Sequence, residues 1–199
     1  MIAKRAIDLA VSAVLLVLTS PLWVVVAAAI RLTSSGPVLH RAARIGKDGV
    51  PFTILKFRTM RVAEGPAITS AGDTRITPVG RLLRRLKIDE LPQLINVIRG
   101  DMSLVGPRPE DPRYVASYTE EQRRVLSLRP GLTSPAALAY RDEERLLGAV
   151  ADAQTEYVER IMPAKLAMDL EYVARRSLAL DVSVLVRTAV GVVVRPRRR

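Results

Sequence analysis

The chain has 199 residues, with 31 lysines and arginines against 20 aspartates and glutamates and a net charge of +11. That length supports one domain, or a small domain with an attachment, and the charge calls for an anionic partner, nucleic acid or anionic lipid. Cysteine is absent and histidine occurs once, which excludes disulfides, thiolate metal sites and a histidine cluster, and 4% aromatic residues are few for stacking on single-stranded bases.

Lys4 and Arg5 precede an apolar run from Ala6 to Ile30, whose polar interruptions are Asp8, Ser12, Thr19 and Ser20. The run is too long for a signal peptide and long enough for a membrane core of roughly 30 Å, but Ser20-Pro21 falls inside it. Flanking charge decides more. Lys4 and Arg5 stand before the run, and Arg31, Arg41, Arg44 and Lys47 stand after it. A single span sends one of these groups across the bilayer, against the positive-inside tendency. A helix that breaks and returns keeps both on one side, each arm reaching only about 20 Å. The expectation is a re-entrant hairpin over residues 1–33, broken at Ser20 and Pro21. A spanning helix is the second reading.

Residues 34–199 then form a domain on the cytosolic side, mostly α with a small β-hairpin. Residues 38–45 and 50–57 pair as strands across Gly46-Lys47-Asp48-Gly49, because Asp-Gly is a strong turn signal. Alternation puts Lys56 and Arg58 on one face with Phe52 and Ile54, either solvated or lining a pocket. His40 is assigned no role. Residues 61–73 read as a loop, a lid or a disordered segment. A basic helix follows to Lys87, with Val79, Leu82, Leu83 and Leu86 as its apolar stripe.

The central stretch is Ile88-Asp89-Glu90-Leu91-Pro92. Asp89 suits an N-cap and Pro92 a first turn; Leu91, Leu94, Ile95 and Ile98 repeat at helical spacing, and Gly100 closes the segment. Alone, the pair reads as a cap and a solvated glutamate. Its flanks change the odds. Arg81, Arg84, Arg85 and Lys87 precede it, and Asp101 and Gly106-Pro107-Arg108-Pro109 follow. Carboxylates among so many cations suit a site that handles phosphate with a divalent metal. Two prolines hold Arg108 for bidentate recognition, or make a rigid surface turn. Thr119 to Gln122 is a capping box, and Arg129-Pro130-Gly131 is a second constrained cationic turn. Helices are expected over 136–150 and 155–176, the latter bent near Pro163. Residues 178–194 form a core or interfacial helix, and the basic tail at 195–199 is attracted to acidic lipid.

The ordered set Lys4-Arg5, Ser20-Pro21, Lys56-Phe57-Arg58-Thr59-Met60, Thr74-Arg75-Ile76-Thr77, Asp89-Glu90-Leu91-Pro92-Gln93-Leu94 with Asn96-Val97, the run from Asp101 to Pro109 and Arg129-Pro130-Gly131 resembles the bacterial sugar transferases, the monotopic phosphoglycosyl transferases. The likeness covers nearly the whole chain. It implies transfer of a sugar 1-phosphate from a UDP-sugar to polyprenyl (undecaprenyl) phosphate, giving polyprenyl diphosphate sugar and UMP. This is the first membrane step of glycoconjugate or exopolysaccharide synthesis, on the cytoplasmic face of the bacterial inner membrane. It implies Mg²⁺ as cofactor, inner-membrane lipid as a partner, no nucleic acid, and leaves a homo-oligomer open.

By the same resemblance Asp89 is the nucleophile that takes up the sugar phosphate. Asp89, with Glu90, holds the metal, or Glu90 serves as a base. Lys56, Arg58, Arg75, Arg108 and Arg129 are the candidate phosphate-binding cations, and a helix N-terminus keeps Asp89 ionised. The chain departs from the pattern at Ser134-Pro135-Ala136-Ala137, where the family has Gly-Trp-Ala-Gln, and at Ala42-Ala43. Both bear on nucleotide or sugar contacts. Two rivals remain. A helix-turn-helix on DNA would set Asp89 and Glu90 against phosphate, and a non-catalytic membrane scaffold would have no use for an intact carboxylate pair.

Overall fold

The computed structural model describes residues 2–61, 68–69 and 72–193. Most of the expected loop at 61–73 and all of the basic tail at 195–199 lie outside the described residues. A helix of 32 residues, α1 (Ile2–Thr33), opens the chain. Ser20 and Pro21 do not interrupt it, where the sequence predicts a break. Pro21 has no N–H for the Val17 carbonyl four residues earlier, and the Ser20 hydroxyl donates to that carbonyl at 2.8 Å instead. The carbonyl that proline frees is therefore paired.

The buried residues of α1 are Asp8 and Ser12 near its start and Val26 and Ile30 near its end. Val11 and Leu16 pack against the cluster of Leu94, Val97 and Leu104. Trp23, Val26 and Ile30 pack with Phe57 and Leu83. Between these anchors the apolar side chains are bare, with Val17 73% and Val24 72% exposed.

Strands β1 (Leu39–Ile45) and β2 (Pro51–Phe57) form the expected antiparallel hairpin, with His40 opposite Lys56 and Ala42 opposite Ile54. Helix α2 (Pro78–Leu86) starts on a Thr77 cap, and Gly80 lets it lie on Thr59: a Cβ there would come within 1.9 Å of the Thr59 carbonyl oxygen. Its apolar stripe divides. Leu83 is buried, whereas Leu82 and Leu86 are exposed. Lys87 closes α2 in the left-handed region (φ 58°), and a 3-10 turn over Ile88–Glu90 leads to α3 (Gln93–Arg99). Asp89 is thus not the N-cap predicted from its residue type. Pro92 holds that position, and Gly100 (φ 95°) ends the helix as expected.

Strand β3 (Ser103–Val105) pairs in parallel with β4 (Gly131–Thr133), a contact the sequence does not announce. Between them lie the short helices α4 (Pro112–Val115) and α5 (Glu120–Arg123), the latter opened by the expected capping box of Thr119 and Gln122. The helix expected over 136–150 is two helices, α6 (Pro135–Ala139) and α7 (Glu143–Gly148). Helix α8 (Ala153–Glu156) passes through a π-helical turn, Tyr157–Ile161, into α9 (Met162–Arg175), where Pro163 fits the first turn. Helix α10 (Leu178–Val193) closes the described chain. The core joins Ile54 of β2, Leu94 and Val97 of α3, Leu104 of β3, Tyr172 of α9 and Val184 of α10. The fold is mostly helical with small sheets, as the sequence implies.

Candidate active site

Glu90 is where separate segments meet. Its Oε1 lies 3.0 Å from Lys56 Nζ on β2 and 3.6 Å from an Arg108 guanidinium nitrogen in the turn after β3. Lys56 faces Glu90 because Ile54, two residues earlier on the same strand face, is fixed in the core. Arg108 is held by a proline on each side, and its backbone N–H donates to Asp169 Oδ2 of α9 at 3.2 Å. Burial by itself pushes the Glu90 carboxyl up, but Lys56, Arg108 and Lys87 outweigh it and hold the group well below the ordinary carboxylate range. Burial likewise works against the Arg108 charge, and Glu90, Glu143 and Glu110 restore and strengthen it.

Asp89 behaves oppositely. Its side chain is buried, and Oδ1 has no hydrogen-bond partner among the described residues. Burial and then the neighbouring Glu90 charge raise its proton affinity, against the pull of Lys56, Lys87 and Arg84. Asp89 precedes α3 in a dry turn rather than capping it, so burial raises its proton affinity where a helix dipole would lower it. Adjacent carboxylates therefore have separate characters: Glu90 is committed to two cations, and Asp89 keeps a buried, unpaired oxygen.

An orphaned, buried carboxylate oxygen suits a hard divalent cation, and magnesium commonly takes one or two carboxylates with substrate phosphates and water completing its shell. Among the described residues no group of three or more His, Cys, Asp or Glu side chains could hold a metal. A cation at this pair would therefore need substrate oxygens and water to complete its shell.

Of the five cations predicted for phosphate, Lys56 and Arg108 are brought together. Arg58, 5% exposed, donates instead to the carbonyls of Ser34 at 2.8 Å and Ser35 at 2.5 Å, just past the end of α1. Arg75 pairs with Asp73 at 2.6 Å, and Arg129 Nε donates to the Gly100 carbonyl at 2.8 Å. Two other cations, Arg84 and Lys87, act on Asp89; the sequence reading treats them as flanking charge. Arg84 reaches the Thr59 hydroxyl at 2.9 Å and Glu144 at 2.7 Å. Asp169 is also new, and a signal for it existed: it falls on the helical stripe of Leu166 and Tyr172, where a charge has no reason to stand unless it has a task. The departing segment is intelligible locally. Ser134 is fully buried and caps α6 by accepting the Ala137 N–H at 3.0 Å, with Pro135 next in the helix.

Asp169 yields a pH prediction. Burial raises its carboxyl to about 6, against the Arg108 N–H, Ser134 and Lys165. The folded state binds this proton more tightly than the unfolded chain, so its stabilising effect is complete below the unfolded value, about 4, and is lost as pH rises through about 6. The full effect is at most about 3 kcal/mol. Replacing Asp169 with Asn should remove that component of the slope. Equal pH dependence of the thermal midpoint in wild type and Asp169→Asn, between pH 4 and 7.5, would contradict it.

The model of the bacterial sugar transferase family matches residues 1–195. A UDP-glucose:undecaprenyl-phosphate glucose-1-phosphate transferase of Caulobacter vibrioides is 45% identical over 192 residues, covering 93% of this chain and 67% of that protein. A transferase of the same name from Escherichia coli is 35% identical over 196 residues, covering 93% of this chain and 39% of that protein. An uncharacterised sugar transferase of Bacillus subtilis is 39% identical over 197 residues, covering 98% of this chain and 89% of that protein. With the family matched across the carboxylate pair, Lys56 and the Arg108 turn alike, the chain belongs to the bacterial sugar transferases.

Proposed function

We propose that this protein transfers a sugar 1-phosphate from a UDP-sugar to undecaprenyl phosphate through a covalent intermediate on Asp89. The observation that carries the reading is the buried, unpaired Asp89 oxygen beside a Glu90 carboxylate pinned by Lys56 and Arg108. An Asp89 oxygen attacks the phosphorus that bears the sugar. The bond to the bridging oxygen breaks, and UMP leaves with that oxygen and the electron pair. A phosphate oxygen of undecaprenyl phosphate then attacks the same phosphorus, breaks its bond to Asp89 and forms the polyprenyl diphosphate sugar. Anions meet in both steps, so neutralising charge is the main catalytic need. Lys56 and Arg108 bind phosphate oxygens, while Lys56, Lys87 and Arg84 favour the ionised, attacking form of Asp89. Asp89 and Glu90 would hold a magnesium ion, which would supply further neutralisation of charge. UDP-glucose is the first donor to test, because relatives at 45% and 35% identity are named for glucose transfer. UDP-N-acetylgalactosamine is the second, after a relative of Aeromonas hydrophila at 36% identity.

The same reading places residues 1–33 in one leaflet of the inner membrane as a re-entrant element, with residues 34–199 on the cytoplasmic face. A helix of 32 residues is about 48 Å long, enough to span. One fact favours return over crossing: residues towards both ends of α1 pack against the same protein body. Leu178, Val182, Val186 and Val190, spaced by four along α10, add an exposed apolar stripe for the same lipid surface.

Two measurements test this. In an assay of UMP release from UDP-sugar and undecaprenyl phosphate, Asp89→Asn should lose about 10³-fold or more in turnover while keeping its fold, since an amide is a poor nucleophile. Turnover within a few-fold of wild type removes Asp89 from the nucleophile's role. For topology, a cysteine placed at Ala3 should be protected from an impermeant thiol reagent on intact cells, there being no native cysteine to interfere. Labelling from outside would make α1 an ordinary transmembrane helix.

A further inference from the structure

Asn96 is fully buried on α3, and its carboxamide is used on both sides. Nδ2 donates to the Thr53 carbonyl at 2.8 Å and to Asp101 Oδ2 at 3.1 Å, while Oδ1 accepts the Leu55 N–H at 3.1 Å. Thr53 and Leu55 lie two apart on β2, so this carbonyl and this N–H share the strand edge turned away from β1. A side-chain amide offers a donor and an acceptor next to each other, as a neighbouring peptide unit would. Asn96 therefore takes the place of a third strand at that edge.

The placement matters because of what lies on either side. Leu55 is next to Lys56, and α3 begins just after Glu90. We propose that Asn96 is a positioning residue for the transfer reaction: by docking the outer edge of β2 on α3, it sets Lys56 at the height where it meets Glu90 and the substrate phosphate. A two-stranded hairpin on its own is marginally stable and free to slide or tilt against a helix. Hydrophobic contact between Ile54 and the α3 face is non-directional and does not fix that height; two hydrogen bonds to successive outward-facing groups do. The proposal rests on the assignment of Lys56 and Glu90 to the phosphate site.

The test is a double-mutant cycle in the full chain, read by calorimetric titration with UDP, which needs neither the acceptor nor the right sugar. Lys56→Met and Asn96→Ala should each weaken UDP binding, by about 10-fold. The double variant should bind no more weakly than Lys56→Met alone, because Asn96 acts through Lys56. Thermal midpoints, followed by Trp23 fluorescence, establish that each variant is folded at the assay temperature. If Asn96→Ala is not, Asn96→Asp replaces it, keeping the acceptor for Leu55 and losing the donor to Thr53. Unchanged binding by the folded Asn96 variant, with Lys56→Met weakened, overturns the proposal alone. So do losses that multiply in the double variant, which is the mark of a general structural role. Unchanged binding by Lys56→Met overturns the phosphate-site assignment and the proposal with it.

Discussion

The Glu90 carboxylate, held 3.0 Å from Lys56 and 3.6 Å from Arg108, is the contact on which the site depends. Taking a carboxylate out of water costs several kcal/mol unless cations and hydrogen bonds replace the lost hydration. Here the compensation arrives from a strand and from a proline-bounded turn, both distant in sequence, so charge and fold are settled together. Four cations, Lys56, Arg108, Lys87 and Arg84, act on Asp89 and Glu90, while Glu144 pairs with Arg84 and Glu143 and Glu110 act on Arg108. Asp89 sits within that field but outside the pairing, which leaves it available for chemistry.

The long apolar helix α1 belongs to the same polar framework. Arg5 of α1 donates to the Val97 carbonyl at 2.7 Å and the Ile98 carbonyl at 3.1 Å, at the C-terminal end of α3. Lys4 bonds Asp181 of α10 at 2.6 Å, and Asp8 accepts from the Ser103 hydroxyl and the Leu104 N–H. At the other end, Arg58 takes up the carbonyls of Ser34 and Ser35. Carbonyls left over at two helix ends are thus each satisfied by an arginine from another element. Helix α1 and the helix that follows the carboxylates are tied directly.

Much of this was legible in the residues, and the failures have physical causes. The Asp48-Gly49 turn announced the hairpin, and the cations crowding Asp89 and Glu90 announced the site. The Asp89 cap was mislaid because Lys87, a non-glycine residue, takes a left-handed conformation that residue type does not favour. Alternation along β2 placed Arg58 with Lys56, but the strand ends at Phe57, and past that point a period of two has no meaning. A lowered proton affinity for Asp89 followed from a helix dipole, a local argument, whereas the burial that raises it is a property of the whole fold. Strands of three residues such as β3 and β4 are too short to leave a periodic trace. Arg75, by contrast, had an acidic partner two residues away in Asp73, a pairing open to a reader of the sequence.

The central claim is that Asp89 forms a covalent bond to the sugar phosphate. Intact-protein mass spectrometry after brief mixing with UDP-glucose and Mg²⁺, without acceptor and quenched in acid, addresses it most directly. The account predicts a species heavier by one sugar phosphate, carried by the peptide containing Asp89, absent from Asp89→Asn and discharged when undecaprenyl phosphate is added before the quench. Wild-type protein that releases UMP on addition of acceptor, yet shows no adduct at any mixing time or carries it on another residue, would contradict it.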